Sequence, residues 1–158
     1  MKPRVYIETS IVSYLVARPS RDIIVAAHQD MTRDWWEQQK EYFELYTSPI
    51  VTNEASAGDT TAAQQRLLVL AAIPSLLVSP EAVVLAENLL SRGALPQRAR
   101  EDALHIAVAA VHGMDYLLTW NCTHIANALT RSIITSIIER QAFAVPIICT
   151  PEELITKG

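Results

Sequence analysis

Short apolar runs alternate along the chain with longer stretches of helical periodicity. Residues 4–8, Arg-Val-Tyr-Ile-Glu, read as a short buried strand, and the Thr9-Ser10 pair behind it suits the cap of a helix. Ile11, Val12, Tyr14 and Leu15 form the apolar face of that helix, which Pro19 ends. The pattern from Arg21 to Tyr46 is helical, with Trp35, Trp36 and Phe43 at core-like spacings and room for a break near Asp30 to Thr32. Residues 47–51 read as a second strand, and Thr52-Asn53-Glu54 opens a short helix that Gly58 closes. A helix from Thr60 to Ala72 precedes a third strand at Ser75–Val78. Pro80–Leu90 is helical and stops at Gly93, and Pro96 opens a helix that runs to about His112, with Gly113 as its terminator. Tyr116–Trp120 is a fourth strand, His124–Arg140 a long helix, and Val145–Ile148 a last strand before Pro151.

Strands that are short, apolar and each separated by at least one helix predict a parallel sheet covered on both faces, an α/β three-layer sandwich. The 158 residues fit one domain, 1–158. Half of them are apolar and 19% are charged, a balance that builds a large core and excludes a disordered chain. The basic residues at the N-terminus precede no long apolar run, so no secretory signal is expected. The longest apolar stretch, Leu67 to Val78, is broken by Pro74, so no membrane span is expected either. Two cysteines, Cys122 and Cys149, are too few for a disulfide scaffold and read as reduced thiols of a cytoplasmic protein.

In a parallel sheet ligands bind at the carboxyl ends of the strands, which decides which polar residues deserve a chemical reading. Glu8 ends the first strand, Glu54 follows the second and Asn121 follows the fourth. Asp102 joins them from the entrance of a helix that is apolar on nearly every face beyond it, where a lone buried charge needs a partner. Each residue alone has a plain structural role open to it. Glu8 can cap the first helix, Glu54 can sit as a first-turn acid, Asn121 can make a turn, and Asp102 can pair with Arg98, Arg100 or His105. Their joint placement points to chemistry.

Four ordered motifs carry a resemblance: Val-Tyr-Ile-Glu-Thr-Ser at the start, Asn53-Glu54-Ala55, Glu-Asp-Ala-Leu-His-Ile-Ala-Val-Ala around Asp102, and Tyr-Leu-Leu-Thr-Trp-Asn ending at Asn121. The chain resembles PIN domains, and in particular the VapC-like toxins of prokaryotic toxin–antitoxin systems. That resemblance spans the whole chain and implies an acidic pocket that binds Mg²⁺ or Mn²⁺ and cuts RNA. It implies Glu8, Glu54, Asp102 and Asn121 as metal and catalytic residues, with Thr9 and Thr119 lining the same pocket. Glu8 stands where such domains usually carry Asp, and Asn121 where a fourth acid often sits. The first departure lengthens an arm by a methylene; the second removes a charge but keeps an oxygen ligand. A PIN-fold module that holds RNA or a protein without cutting is therefore the alternative reading.

Hard oxygen ligands suit Mg²⁺ or Mn²⁺ and argue against zinc. Without metal, close carboxylates repel, so at least one pKa is expected to rise. The net charge of −4 means that contact with RNA is local or relies on metal ions or a partner to offset it. His124, close behind Asn121, is placed to touch an RNA phosphate, whereas His105 and His112 share a helical face and read as core or supporting residues. Cys122 and His124 are too few for a zinc site, and no H-E-x-x-H spacing occurs. Glycines at 58, 93, 113 and 158 form no phosphate-cradling loop, which argues against NAD and P-loop nucleotide binding. A phosphorylated receiver would need a Lys after a late strand, and none lies between Lys40 and Lys157. An apolar patch in segment 21–46, which holds Trp35 and Trp36, suits a homodimer or the helix of a separate antitoxin.

Overall fold

The computed structural model describes residues 1–157. Four strands form one parallel sheet: β1 (Arg4–Ile7), β2 (Glu44–Tyr46), β3 (Tyr116–Leu118) and β4 (Ile147–Cys149), in the spatial order β2-β1-β3-β4. Val5 pairs with Leu45 on one side and with Tyr116 on the other, and Leu118 pairs with Cys149. Val5, Tyr6 and Ile7 are all fully buried, as are Leu117 and Leu118. Because successive strand residues point to opposite faces, the sheet must be covered on both.

Seven helices supply the cover: α1 (Thr9–Val16), α2 (Ile23–Gln38), α3 (Pro49–Ala55), α4 (Thr60–Ala71), α5 (Pro80–Ser91), α6 (Arg100–Val111) and α7 (Arg131–Arg140). They pack as two groups, α1 with α2, α3 and α4, and α5 with α6 and α7, joined by contact between α3 and α6. Local chemistry sets several of their starts. Asp22 and Asp59 accept hydrogen bonds from Val25 and Ala62 N–H at 3.0 Å each, and Ser79 accepts one from Ala82 N–H ahead of Pro80. No described helix is long and apolar enough to cross a membrane.

Several boundaries differ from the sequence pattern. The helical stretch expected over 21–46 ends at Gln38, and after a 3₁₀ turn at Lys40–Tyr42 the chain enters β2 at Glu44, not at residue 47. Pro49 explains the shift, since it lacks an N–H for a strand ladder but fits the first turn of a helix. Glu54 thus lies near the end of α3 instead of at its start. The strand expected at Ser75–Val78 reduces to a single bridge between Ser75 and Thr47 beside the β2 edge. Pro96 begins a turn that precedes α6 by four residues, with Ala99 N–H on the Pro96 carbonyl at 2.9 Å. The helix expected from His124 starts only at Arg131, because Asn121 and Asn127 draw the intervening residues into turns.

The topology fixes where a ligand could sit. From β1 the chain moves to β2 on one side and returns through α3–α6 to β3 on the other. The crevice at the carboxyl ends of β1 and β3 is therefore the switch point. The opposite end of these strands is tied shut. Arg4 N–H donates to Asp115 at 2.8 Å, while its guanidinium donates to the His112 carbonyl and lies over the Tyr46 ring. The turn that brings His112 there needs Gly113 with φ +67°.

Ile106, fully buried in the core between sheet and helices, should cost about 2–5 kcal/mol on change to Ala. Leu129→Ala, at an 86% exposed position, should stay within about 0.5 kcal/mol. Urea unfolding of the two variants checks the contrast.

Candidate metal centre

Glu8 follows directly on β1 and is buried, with only 4% of its surface exposed. One of its oxygens, Oε1, accepts from Ser10 N–H at 3.2 Å, from the Ser10 hydroxyl, and from Thr119 Oγ1 at 2.6 Å. The expected cap of α1 is thus Glu8 itself, and Ser10 is the donor that holds it. Thr119 follows β3, so this carboxylate joins the carboxyl ends of the two central strands. Trp120 N–H donates to Ser10 Oγ at 2.8 Å and Asn121 N–H to Thr119 Oγ1 at 2.9 Å, which fixes both hydroxyls in turn.

Glu54 reaches the same crevice from α3. Its Oε1 accepts from Thr9 Oγ1 at 2.6 Å and lies 2.6 Å from His105 Nε2 on α6. His105 is fully buried, and its other nitrogen, Nδ1, lies 2.6 Å from the Tyr6 hydroxyl, itself 2.7 Å from Ser48 Oγ. Donor atoms of Glu8, Glu54 and His105 all fall within 4.8 Å of one another. Burial pushes the Glu54 carboxyl up, but the hydrogen bond and charge of His105 and the Thr9 hydroxyl outweigh it and hold Glu54 below its ordinary value of 4.5. The rise expected from carboxylate repulsion is therefore reversed at Glu54. Burial and then, after the lowering bond to Ser48, the charges of Glu8 and Glu54 raise the Tyr6 hydroxyl, which stays protonated.

Asp102 lies one helical turn before His105 on α6. It pairs with none of Arg98, Arg100 or His105. Its Oδ2 is 2.8 Å from Nδ1 of His124, and His124 N–H donates to Asn121 Oδ1 at 3.1 Å. Only the turn that replaces the expected helix allows His124 to face Asp102. Hydrogen bonds and chain neighbours close into a circuit: Glu8 to Thr119, Asn121, His124 and Asp102, along α6 to His105, then Glu54, Thr9 and, along the chain, back to Glu8. Every site residue expected from the sequence lies on that circuit. Tyr6, Ser10 and Ser48 belong to its support, and the sequence singles out none of them for it. Tyr6 sits mid-strand in a wholly buried run, where alternation carries no signal.

The donor set suits a hard cation. All hydrogen bonds to Glu8 and Glu54 fall on Oε1, and the one to Asp102 falls on Oδ2. Glu8 Oε2, Glu54 Oε2 and Asp102 Oδ1 thus have no hydrogen-bond donor among the described residues. His105 is a poorer ligand than its distance suggests, because both its nitrogens are already engaged. Of the thiols, Cys122 is exposed, and burial raises Cys149 to about 12, with Glu153 adding and Arg131 opposing. Neither lies in the circuit.

Because the folded pKa of Glu54 is depressed, its stabilising effect is present above about 4.5 and is lost as pH falls through the lower folded value. Glu54→Gln should destabilise the protein at neutral pH, by an amount that shrinks on acidification below 4.5. Urea titrations of both forms across that window measure it. A gap that does not change with pH would contradict the assignment.

No protein-family model matches the chain, and no curated protein matches it. Among solved structures, the fold is similar to a chain of VapBC2 from Rickettsia felis bound to a DNA fragment from their promoter. The TM-score is 0.57 at 15% identity, over 93% of this chain and 98% of that one. At that identity the likeness speaks for the backbone architecture alone. A parallel four-stranded sheet between two helical layers, in this order and over this length, is a PIN-like α/β three-layer architecture.

Proposed function

We propose that the chain acts as a single PIN-like domain, residues 1–158, and is a divalent-metal-dependent endoribonuclease of the cytoplasm that hydrolyses RNA phosphodiester bonds. One observation carries the reading: Glu8, Glu54 and Asp102 are each anchored through one oxygen and keep the other free of protein donors among the described residues. Anchored carboxylates with a free oxygen form a hard, anionic set that fits Mg²⁺ or Mn²⁺.

Glu8 and Asp102 would hold the metal directly, while Glu54 would bind it or orient the attacking water. Asn121 would complete the set with the lone pair that its bond to His124 N–H leaves over. Bound there, the metal would offset the charge of the phosphodiester and lower the pKa of a bound water. The remaining work falls to the chain. Ser10 and Thr119 prevent Glu8 from rotating away, and Thr9 and His105 keep Glu54 an anion that can accept a proton. Thr9 and Thr119 line the pocket. His124 Nε2, without a protein partner among the described residues, would meet a phosphate oxygen of the RNA.

The partners follow from the same reading. Ile23 and Ile24 stand 85% and 68% exposed at the start of α2, an apolar surface for a separate antitoxin or a second copy. The Rickettsia felis structure is likewise an assembly, VapBC2, bound to DNA. A second reading, a PIN-fold module that binds without cutting, is favoured by one feature: Asn121 brings no charge and commits its side-chain oxygen to a turn.

Purified protein with mixed RNA should cut in Mg²⁺ or Mn²⁺ and stop in EDTA. Asp102→Asn should lower the rate by about 100-fold or more, equivalent to about 2.7 kcal/mol of barrier. Cutting that survives both EDTA and Asp102→Asn would sink the proposal. Metal binding by calorimetry without any cutting would favour the second reading.

A further inference from the structure

Tyr6 and His105 are fully buried side by side beneath the crevice, and neither side chain faces solvent. Three short contacts run in series: Ser48 Oγ to Tyr6 Oη at 2.7 Å, Tyr6 Oη to His105 Nδ1 at 2.6 Å, and His105 Nε2 to Glu54 Oε1 at 2.6 Å. One end of the series is fixed by chemistry: a carboxylate only accepts, so the His105–Glu54 bond requires a proton on Nε2. Tyr6 Oη, which can both donate and accept, bridges His105 Nδ1 and Ser48 Oγ, and every polar atom of the series is satisfied.

We propose that Ser48, Tyr6 and His105 form a buried hydrogen-bond relay that fixes the orientation of the His105 ring and thereby aims the Glu54 carboxylate into the crevice. This makes Tyr6 and His105 positioning residues for the metal centre, and it rests on the ribonuclease reading. Glu54 needs such an outside brace more than Glu8 does. It sits on a two-turn helix and is 31% exposed, whereas Glu8 is gripped by its own neighbours at a strand end. With its Nε2 proton on Glu54, His105 is engaged behind the carboxylate and is not a metal ligand, although its distance from Glu8 and Glu54 would admit one.

The first test needs no variant. Nitrogen-15 spectra of the metal-free wild-type protein should show His105 with a proton on Nε2; an Nε2 without one would overturn the relay. Tyr6→Phe keeps the ring and the packing but removes the hydroxyl. In Mn²⁺-supported RNA cutting it should lower kcat about tenfold with KM within about twofold, and weaken Mn²⁺ binding measured by calorimetry. His105→Gln, which can still offer an amide N–H to Glu54, should retain more activity than His105→Leu, which cannot. Wild-type rates in Tyr6→Phe, or equal losses in the Gln and Leu variants, would overturn the relay while wild-type cutting left the ribonuclease reading intact. If the wild type neither cuts RNA nor binds Mn²⁺, the function fails instead, and the nitrogen spectra still decide whether Nε2 carries the proton that holds Glu54.

Discussion

The bond between Thr119 Oγ1 and Glu8 Oε1, 2.6 Å long, ties together the carboxyl ends of β1 and β3 where the sheet changes direction. Parallel strands that lead to opposite sides leave a crevice between their ends, and open polar groups there would otherwise belong to water. In this protein a single carboxylate oxygen gathers three donors at that point, two from Ser10 in the first turn of α1 and one from Thr119 just past β3. The same contact that closes the fold therefore orients the first acid of the site. Stability and chemistry share one atom, and the second oxygen of Glu8 stays free of protein donors among the described residues.

The other two acids repeat the logic with histidine, joined at Glu54 by the Thr9 hydroxyl. Glu54 leans on His105 and Asp102 on His124, each through one oxygen. Asp102 and His105 sit one turn apart on α6, whose following residues Ile106, Ala107, Val108, Ala109 and Ala110 are all buried. A helix so apolar can be placed rigidly by packing alone, which makes it a firm mount for two polar side chains at its first turns. The turn at 121–130 serves the same end from the opposite wall. By failing to be helical it lets Asn121 grip His124 N–H and lets His124 face Asp102.

This arrangement also answers the acidity of the chain. With a net charge of −4, the protein offers no broad basic field for a polyanion. Glu8 and Glu54 brought close together would repel, and around Glu54 the structure offsets this with a buried imidazole and a hydroxyl. The fold alone says nothing of such details, since one architecture can carry many activities. The reading of this chain rests on its own side chains.

The class of fold was legible in the sequence, as were the candidate residues that the structure links by hydrogen bonds. Alternation of short apolar runs with helical stretches is a local property, and it forces a covered parallel sheet whose strand ends carry Glu8 and Thr119 and lead to Asn121. It placed β1, α5 and the end of α6 close to where they lie, because Pro80, Gly93 and Gly113 punctuate the chain locally. It missed the start of β2, the loss of a strand at Ser75 and the turns before α7, where side-chain bonds of Asn121 and Asn127 and a proline at position 49 override periodicity. Which partner each acid takes was decided only in three dimensions. Arg98, Arg100 and His105 were all near Asp102 in sequence, yet His124, 22 residues away, holds it. Tyr6 gains its role from residues 42 and 99 positions distant, and no local pattern reports a contact of that range.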